Sequence, residues 1–429
     1  MPADVFANAN AAGRVDWRPE PFGFAPVGPG PEEEDAGWCR RSIQGGSKSF
    51  YAASLLLPRR IRGPAYALYA FCRTADDAVD ETGGPGMAAR LAARLQRLAA
   101  GAPADHPADR AFATVMARHR LPVEIPAALI EGLAWDEQGR RYETLADVEA
   151  YAARVAATVG VMMTLIMGER RPEVLARACD LGVAMQLTNI ARDVGTDAAM
   201  GRLYLPRGWL RAEGIDPEAW LAAPAHEAAH DPAHEAAYGQ VRDAAHEAAH
   251  GPARDAAHGP ARDDAHEAAH GPAHEPALGR VVLRLLTRAE ALYDRALPGI
   301  AALPRDCRVG IMAARALYRE IGRTVAAAGG DGVTARAVVG KRRKAALMAG
   351  ALLEATLPPL LTGARVGLRE TTAAEPLPAT RFLVEAVERA DAQSPGLRAL
   401  EDRLGRALDV FVTASLHISA QGAGSRLRS

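Results

Sequence analysis

Apolar side chains recur at every third or fourth position along most of this chain, the spacing that places them on one face of an α-helix. Alanine and leucine are abundant and runs of β-branched residues are few, which favours helix over strand. The chain is therefore predicted to be all-α. Helices are predicted over residues 34–46, 64–81, 87–100, 108–119, 151–168, 174–197, 278–297, 305–328, 333–350, 381–391 and 395–418.

Two stretches interrupt this pattern. Residues 1–36 are rich in proline and glycine and have no sustained periodicity, which predicts a disordered lead. Residues 224–278 repeat the Ala-His-Glu theme, and their Gly-Pro steps stop any helix before it grows long enough to be stable alone. The predicted organisation is a helical domain over 37–350, interrupted by a low-complexity insertion at 224–278 and followed by a helical extension over 351–429.

The helix predicted over 174–197 carries a polar stripe within an apolar run. Asn189, Asp193 and Asp197 are four residues apart, so they share one helical face, with Gln186 one turn earlier. Two carboxylates at this spacing repel each other, and a hard divalent cation removes that repulsion. Asp and Asn oxygens suit Mg²⁺, which keeps several waters and also binds substrate phosphates. Mn²⁺ would accept the same ligands.

A second acidic face lies upstream in residues 70–81. Asp76 and Asp80 are four residues apart, Asp77 lies three before Asp80, and Arg73 precedes them by one turn. One such face alone is most often a solvated acidic surface. Two such faces, each set among apolar residues, indicate a diphosphate held between two helices by shared metal ions.

Composition narrows the cellular setting. The formal net charge of −1 gives no reason to expect nucleic acid as a partner. The four cysteines form no CxxC pair, which argues against structural zinc and disulfides and favours a reducing cytoplasm. The N-terminus lacks a signal-peptide pattern, and no run reaches the roughly 18 apolar residues of a spanning helix. We expect a cytoplasmic protein, either soluble or peripheral on the inner face of the cell membrane.

Five motifs now point to a known family. The chain resembles squalene and phytoene synthases in SKSFYAASLLLP (47–58), DDAVD (76–80), NIARDVGTD (189–197), GRLYLP (201–206) and LYREIGRTV (317–325). TVGVMMTLIMG (158–168) and VGKRRK (339–344) resemble the bacterial phytoene synthase branch of that family. The resemblance runs from about residue 37 to about residue 350, without the insertion.

This resemblance implies a fold and a site. The fold is a single helical-bundle isoprenoid synthase fold with a central active-site cavity. The expected metal ligands are Asp76, Asp80, Asn189, Asp193 and Asp197. The expected catalytic residues are these five with Asp77, Tyr151 and Tyr318. The expected substrate-binding residues are Ser47, Lys48, Phe50, Arg73, Val155, Gln186, Arg202 and Tyr204. Tyr151 and Val155 are expected to wall a tunnel for a long polyprenyl chain.

The implied reaction joins two geranylgeranyl diphosphates head to head, through prephytoene diphosphate, to give 15-cis-phytoene and released diphosphate. No nicotinamide cofactor is expected, since no GxGxxG follows a strand. One alternative is a synthase that uses farnesyl diphosphate to make presqualene diphosphate, squalene or dehydrosqualene. Another is a catalytically silent family member that acts in assembly, although all the expected aspartates are present.

The insertion supports a third class of function. It holds nine of the chain's twelve histidines, and pairs such as His226 and His230 are four residues apart. Such pairs could chelate zinc or nickel if helical, as in a metal-storage protein. Low-complexity repeats arise readily without a metal role, so we expect this segment to be dispensable for turnover.

Overall fold

The computed structural model describes residues 32–82, 86–223, 275–334, 336–356 and 375–393. Every regular element in these ranges is helical, which confirms the predicted all-α class. The first eight helices are α1 (Glu32–Gly46), α2 (Lys48–Ser54), α3 (Arg59–Thr82), α4 (Met87–Ala99), α5 (Pro107–His119), α6 (Glu124–Glu137), α7 (Leu145–Ala152) and α8 (Thr158–Ile166). The others are α9 (Pro172–Arg192), α10 (Val194–Ala199), α11 (Arg207–Ala212), α12 (Pro217–Leu221), α13 (Glu275–Ala302), α14 (Arg305–Ala327), α15 (Lys341–Thr356) and α16 (Arg381–Ala392).

Helix α9 runs through the centre of the bundle. It packs most extensively against α13 and also contacts α8, α14 and α16. Small residues allow the closest of these approaches: a Cβ on Gly182 would lie 2.7 Å from the carbonyl oxygen of Ala156. The backbone of α9 therefore lies directly against the segment that joins α7 to α8. This close contact fixes the position of α9, the helix that carries the second acidic face.

That joining segment is a π-helical turn over Ala153–Ala157, within the range predicted as one helix over 151–168. Thr144 and Asp147 form a capping box that begins α7, and the π turn then shifts the register before α8 begins. The stretch Leu145–Ile166 is long and apolar enough to cross a membrane, with a mean hydropathy of 1.3, although the sequence analysis expected no such stretch. Within the bundle 61% of that apolar window is buried, so core packing accounts for its composition.

Two helix predictions were wrong in detail. The helix predicted over 174–197 ends at Arg192, because Asp193 leaves helical geometry at φ −106° and ψ 17° before α10 begins. The helix predicted over 333–350 begins only at Lys341. Residues before it pack instead across the junction of α9 and α10, where the Gly195 amide donates to the carbonyl oxygen of Gly332 over 2.9 Å. Gly329 and Gly330, at φ 73° and 84°, turn the chain into this loop.

Several helix ends differ from the predicted segment limits. Helix α1 begins at Glu32, within the predicted lead, and α13 begins at Glu275, within the predicted insertion. Helix α15 continues to Thr356, past the predicted end of the domain at residue 350. The repeats of the insertion and the helix predicted over 395–418 lie outside the described residues. The domain limits stay predictions.

Helix α16, the last helix within the described residues, packs on α9 and α6. Arg170, just before α9, binds Asp391 of α16 with Nε 2.9 Å from Oδ1, and these side chains are only 17% and 16% exposed. Arg177 and Arg295 both donate to the carbonyl oxygen of Glu375, over 3.1 and 3.2 Å. The segment 375–392 is therefore part of the packed bundle and braces the N-terminal half of α9.

Asp391→Ala should lower the free energy of unfolding by about 1.5–3 kcal/mol, because Arg170 loses a charged hydrogen-bond partner in a largely buried place. Urea denaturation followed by circular dichroism measures this. Glu385→Ala is the matched control on the same helix: its pair with Arg389 is about half exposed at both ends, so the expected loss is at most about 0.5 kcal/mol. Equal losses in the two variants would contradict a stabilising role of the Arg170–Asp391 pair.

Candidate active site

The second acidic face forms a partly accessible stripe on an otherwise buried helix. Gln186, Asn189, Asp193 and Asp197 are all partly accessible. The neighbouring side chains between Gln186 and Asp193 are buried: Leu187, Thr188, Ile190 and Ala191 are at most 2% exposed. The bonds Asp193 N–H to Asn189 O (2.9 Å) and Asp197 N–H to Asp193 O (2.8 Å) keep the four-residue spacing across the helix break. The polar face that the sequence predicts therefore survives the local loss of α-helix.

Asn189 has a side-chain oxygen that is buried at the acidic face. Its amide nitrogen donates weakly to Gln186 Oε1 over 3.4 Å. Its carbonyl oxygen Oδ1 is buried and has no hydrogen-bond partner among the described residues. A buried carbonyl oxygen without a partner costs about 1–3 kcal/mol, so a ligand or cation at this oxygen would recover that cost.

Asp193 is bracketed by two arginines. Arg192 donates from Nε to Asp193 Oδ1 over 2.8 Å, and Arg336, from the loop after α14, donates from Nε to the same oxygen over 2.9 Å. Burial acts to raise the pKa of Asp193, but these bonds and charges outweigh burial and hold the pKa below its ordinary value. Asp193 is therefore ionised, and the two guanidinium groups beside it favour anions.

Asp197 lies in the opposite electrostatic setting. Burial raises its pKa well above the ordinary value for aspartate, and the negative charges of Asp193 and Asp136 raise it further, against Arg202 and Arg192. Negative charge at this end of the face is therefore incompletely compensated by the protein. A cation here would stabilise the ionised carboxylate.

A tyrosine cluster adjoins Asp197. Asp136, in the last turn of α6, accepts hydrogen bonds from the hydroxyl groups of Tyr151 (2.8 Å) and Tyr204 (2.7 Å). The Tyr151 and Tyr204 rings stack with centroids 4.9 Å apart, and Tyr142 packs against both rings. The structure thus brings the two predicted tyrosines together around an aspartate that the sequence analysis did not select.

Phe50 and Tyr318 form a second aromatic pair near the acidic face. Their ring centroids are 5.0 Å apart, which joins α2 to α14. Burial raises the pKa of Tyr318 to about 12, with Arg192 and Arg336 opposing and Asp193 adding to the rise. Tyr318 therefore lies close to the Asp193 cluster and carries a neutral hydroxyl at physiological pH.

The other predicted residues of this segment lie at the start of α2. Ser47 caps the helix: its side-chain oxygen accepts a hydrogen bond from the Phe50 amide over 3.3 Å. Lys48 is the first residue of α2 and is exposed.

The first acidic face lies on α3. Arg73 binds Asp77 with Nε 3.0 Å from Oδ2. Asp76 is exposed, and burial together with the Asp76 charge raises the pKa of the neighbouring Cys72 thiol to about 12. Asp80 lies within α3, and its side chain is outside the described part of the structure. Helix α8 packs against both α3 and α9, so it links the helices that carry the two faces.

The donors fit a divalent cation that is shared with a substrate. Within the described ranges no three His, Cys, Asp or Glu side chains form a closed metal cage. The second face instead offers the unpaired oxygen of Asn189, the ionised Asp193 and the undercompensated Asp197. All are hard oxygen donors, the kind that Mg²⁺ accepts together with water and phosphate oxygens.

Sequence reasoning missed three residues of this site: Asp136, Arg192 and Arg336. Arg192 lies inside the NIARDVGTD motif, and its position next to Asp193 was the signal that could have found it. Asp136 and Arg336 come from distant parts of the chain and carry no local pattern.

The predicted tunnel residue Val155 lies in the π turn against α6. Its Cγ1 is 2.6 Å from the place that a Cβ on Gly132 would occupy.

Solved structures share this architecture. A dehydrosqualene synthase crystallised with a ligand superposes with a TM-score of 0.59 at 26% identity, covering 75% of this chain and 97% of that one. A squalene synthase from Alicyclobacillus acidocaldarius superposes with a TM-score of 0.53 at 24% identity, covering 70% of this chain and 95% of that one. The all-α bundle with its oxygen-rich face is thus an isoprenoid synthase fold.

Sequence comparison gives the family. The squalene/phytoene synthase family description matches residues 43–262 and 252–343. A phytoene synthase of Rhodobacter capsulatus is 44% identical over 389 residues, covering 88% of this chain and 99% of that protein. A phytoene synthase of Cereibacter sphaeroides is 41% identical over 399 residues, covering 90% of this chain and 96% of that protein. The chain belongs to the squalene/phytoene synthase family, as its motifs predict.

Proposed function

We propose that this protein is a 15-cis-phytoene synthase, a prenyltransferase that condenses two geranylgeranyl diphosphates through prephytoene diphosphate and releases diphosphate. This is the first committed step of carotenoid biosynthesis. The observation that carries the proposal is the 44% identity to a bacterial phytoene synthase over 99% of that protein's length. The accessible face of Asn189, Asp193 and Asp197 supplies the chemistry that the reaction needs.

The second face and its arginines would bind the diphosphate group. Arg192 and Arg336 present two guanidinium groups at Asp193, and guanidinium matches the paired oxygens of a phosphate. Asn189, Asp193 and Asp197, with Asp76 and Asp80 of the first face, would hold Mg²⁺. When bound, that ion neutralises the leaving diphosphate and so lowers the barrier to ionisation.

Aromatic residues would protect the allylic cation. Tyr204 lies near Asp197 and stacks on Tyr151. Tyr318 lies near Asp193 and packs against Phe50. Aromatic faces attract cations, by about 0.5–2 kcal/mol each where water is excluded. Tyr151, Tyr204 and Tyr318 are at most 8% exposed, so the same residues limit the access of water that would quench the cation.

An apolar stripe supports a chain tunnel. Val155, Val159 and Met163 are four residues apart and remain partly accessible, although their neighbours Val161, Met162 and Leu165 are at most 2% exposed. Leu181 and Met185 of α9 are likewise partly accessible. A partly accessible apolar lining suits a polyprenyl chain that begins at the second acidic face.

A second candidate is a synthase that uses farnesyl diphosphate. It is favoured by the superposition on a dehydrosqualene synthase over 97% of that chain. The identity there is 26%, against 44% to the phytoene synthase of Rhodobacter capsulatus. The C20 substrate is therefore preferred over the C15 substrate.

We also propose a cytoplasmic protein that attaches peripherally to the inner face of the cell membrane, where its hydrophobic product must go. On α15, Lys341 and Leu352 are eleven residues apart, close to three helical turns, as are Arg342 and Leu353. Leu352 and Leu353 are 49% and 59% exposed. Basic residues and leucines on a shared surface suit anionic lipid headgroups and the acyl region below them.

The function is tested by supplying the purified protein with Mg²⁺ and radiolabelled geranylgeranyl diphosphate, in parallel with farnesyl diphosphate. Phytoene from the C20 substrate is the expected product, and chelation with EDTA should abolish it. A C30 product would move the assignment to squalene-type chemistry. Absence of product from both substrates with folded protein would favour the silent family member.

A further inference from the structure

Asp136 is the centre of a hydrogen-bonded group that joins three separate parts of the chain. It lies in the last turn of α6, Tyr151 lies in the last turn of α7, and Tyr204 lies between α10 and α11. The Tyr151 hydroxyl donates to Asp136 Oδ2 over 2.8 Å, and the Tyr204 hydroxyl donates to Oδ1 over 2.7 Å. Each oxygen of one carboxylate thus receives one phenol proton.

This arrangement determines which way each phenol points its proton. A phenol has one proton to donate, and its oxygen otherwise acts as an acceptor. Because both protons are directed to Asp136, each phenol oxygen can act only as an acceptor toward other groups. The two hydroxyl groups also interact with each other. A phenol that donates to a carboxylate is also polarised, which makes its oxygen and its ring more electron-rich.

The rings themselves are held in place. Tyr151 and Tyr204 stack at an interplanar angle of 20°, and they are 5% and 8% exposed. Tyr142 is 1% exposed and packs against both, with centroids 5.3 and 5.9 Å away. Burial raises the pKa of Tyr151 and of Tyr204 well above the ordinary value, and the Asp136 charge adds to each rise. Both phenols are therefore neutral donors.

The group also adjoins the second acidic face. The Asp136 charge contributes to the raised pKa of Asp197, and the Asp197 charge contributes to that of Tyr204. Asp136, Tyr204 and Asp197 are therefore close enough together for their charges to interact. The stacked pair of Tyr151 and Tyr204 thus lies near the end of the face where the diphosphate would leave. An allylic cation formed there would meet these two phenols.

We propose that Asp136 is a positioning residue that holds Tyr151 and Tyr204 as donors to itself, and so presents their electron-rich oxygens and rings to the allylic cation. This inference rests on the proposed prenyltransferase function. Asp136 itself touches no substrate; it acts through the two tyrosines. Its effect falls on steps with a cationic transition state rather than on the binding of the diphosphate.

The first test is Asp136→Asn. Asparagine keeps the shape of the side chain, but it removes the negative charge and replaces one of the two acceptor oxygens with an NH2 donor. We expect kcat to fall about 10- to 100-fold, the worth of weakened cation stabilisation at two rings, with KM for geranylgeranyl diphosphate within about twofold. Asp136→Glu, which restores the carboxylate, should recover part of kcat. The matched control is Glu131→Gln on the same helix, whose carboxylate binds Arg154 over 2.9 Å and no phenol; it should leave kcat within about twofold.

The second test separates positioning from a direct role. In the double variant Tyr151→Phe/Tyr204→Phe, adding Asp136→Asn should lower kcat by less than about twofold more. The two hydroxyl groups through which Asp136 acts are already absent there. An undiminished effect in that background would overturn the proposal. So would a rise in KM with unchanged kcat, or wild-type kcat in the Asp136→Asn variant.

A third test is independent of turnover. The intensity ratio of the tyrosine doublet in ultraviolet resonance Raman spectra reports whether a phenol is a strong donor. Difference spectra against Tyr151→Phe and Tyr204→Phe should show two strong donors in the wild type and weaker ones in Asp136→Asn. Unchanged spectra would overturn the inference. Changed spectra from a protein that makes no hydrocarbon would instead keep the positioning role and reject the proposed function.

Discussion

Asp193→Asn should lower kcat by about 10³-fold, a loss of roughly 4 kcal/mol of transition-state stabilisation. Asp193 is the carboxylate of the second face with a pKa held below the ordinary value, so it is the face's most firmly ionised oxygen donor. Asparagine keeps its size and removes its charge, which weakens the Mg²⁺ site where the leaving diphosphate must be neutralised. Steady-state production of labelled phytoene measures kcat.

The same variant should respond to Mg²⁺ in a particular way. The Mg²⁺ concentration for half-maximal rate should rise, because a hard cation loses a charged oxygen ligand. KM for the diphosphate substrate should change little, since Arg192 and Arg336 are released from Asp193 and keep their attraction for the anion. Asp105→Asn is the control. The Asp105 side chain is fully exposed and pairs only at the surface with Arg110, so this variant should be as active as the wild type. Full activity in Asp193→Asn would remove the second face from the mechanism.

Asp180→Asn should lower the free energy of unfolding by about 3–5 kcal/mol, the usual cost of breaking a buried ion pair from one side. Asp180 is fully buried and lies 3.1 Å from Arg177 Nε and 3.2 Å from Arg295 Nε. Burial lowers the pKa of Arg177 and raises that of Asp180, so each charge depends on the other. Asparagine removes the Asp180 charge that faces the buried Arg177 guanidinium. Urea unfolding followed by circular dichroism gives the loss.

A double replacement provides the control for Asp180. Arg177→Met with Asp180→Leu removes both charges and should restore most of the stability, because apolar residues of similar volume commonly replace a buried pair without loss. Glu385→Gln, whose pair with Arg389 is about half exposed at both ends, should cost less than about 1 kcal/mol. A loss below about 1 kcal/mol in Asp180→Asn would mean that solvent or the segment after Glu375 compensates Arg177.

The pattern of the chain predicted the helices well where side-chain periodicity alone decides the structure. Helices α4 and α5 begin and end within one residue of their predicted limits, because amphipathic spacing and end signals act locally. The break at Asp193 and the π turn at Ala153–Ala157 were missed. Both occur where another segment packs tightly against the helix. At the Asp193 break the loop at Gly332 contacts Gly195, and at the π turn Gly182 of α9 contacts Ala156. Such contacts join residues far apart in sequence and leave no local signal.

The sequence by itself determined the all-α class, the polar stripe of Asn189, Asp193 and Asp197, and the family, since each depends on residue types at short, regular spacing. Only the tertiary structure decided how that stripe is charged. Arg336 reaches Asp193 from a loop 143 residues away, and Asp136 reaches Tyr204 across 68 residues. The physical reason is that a pKa or a hydrogen bond depends on distance in space and on burial, and these are set by packing rather than by neighbours along the chain.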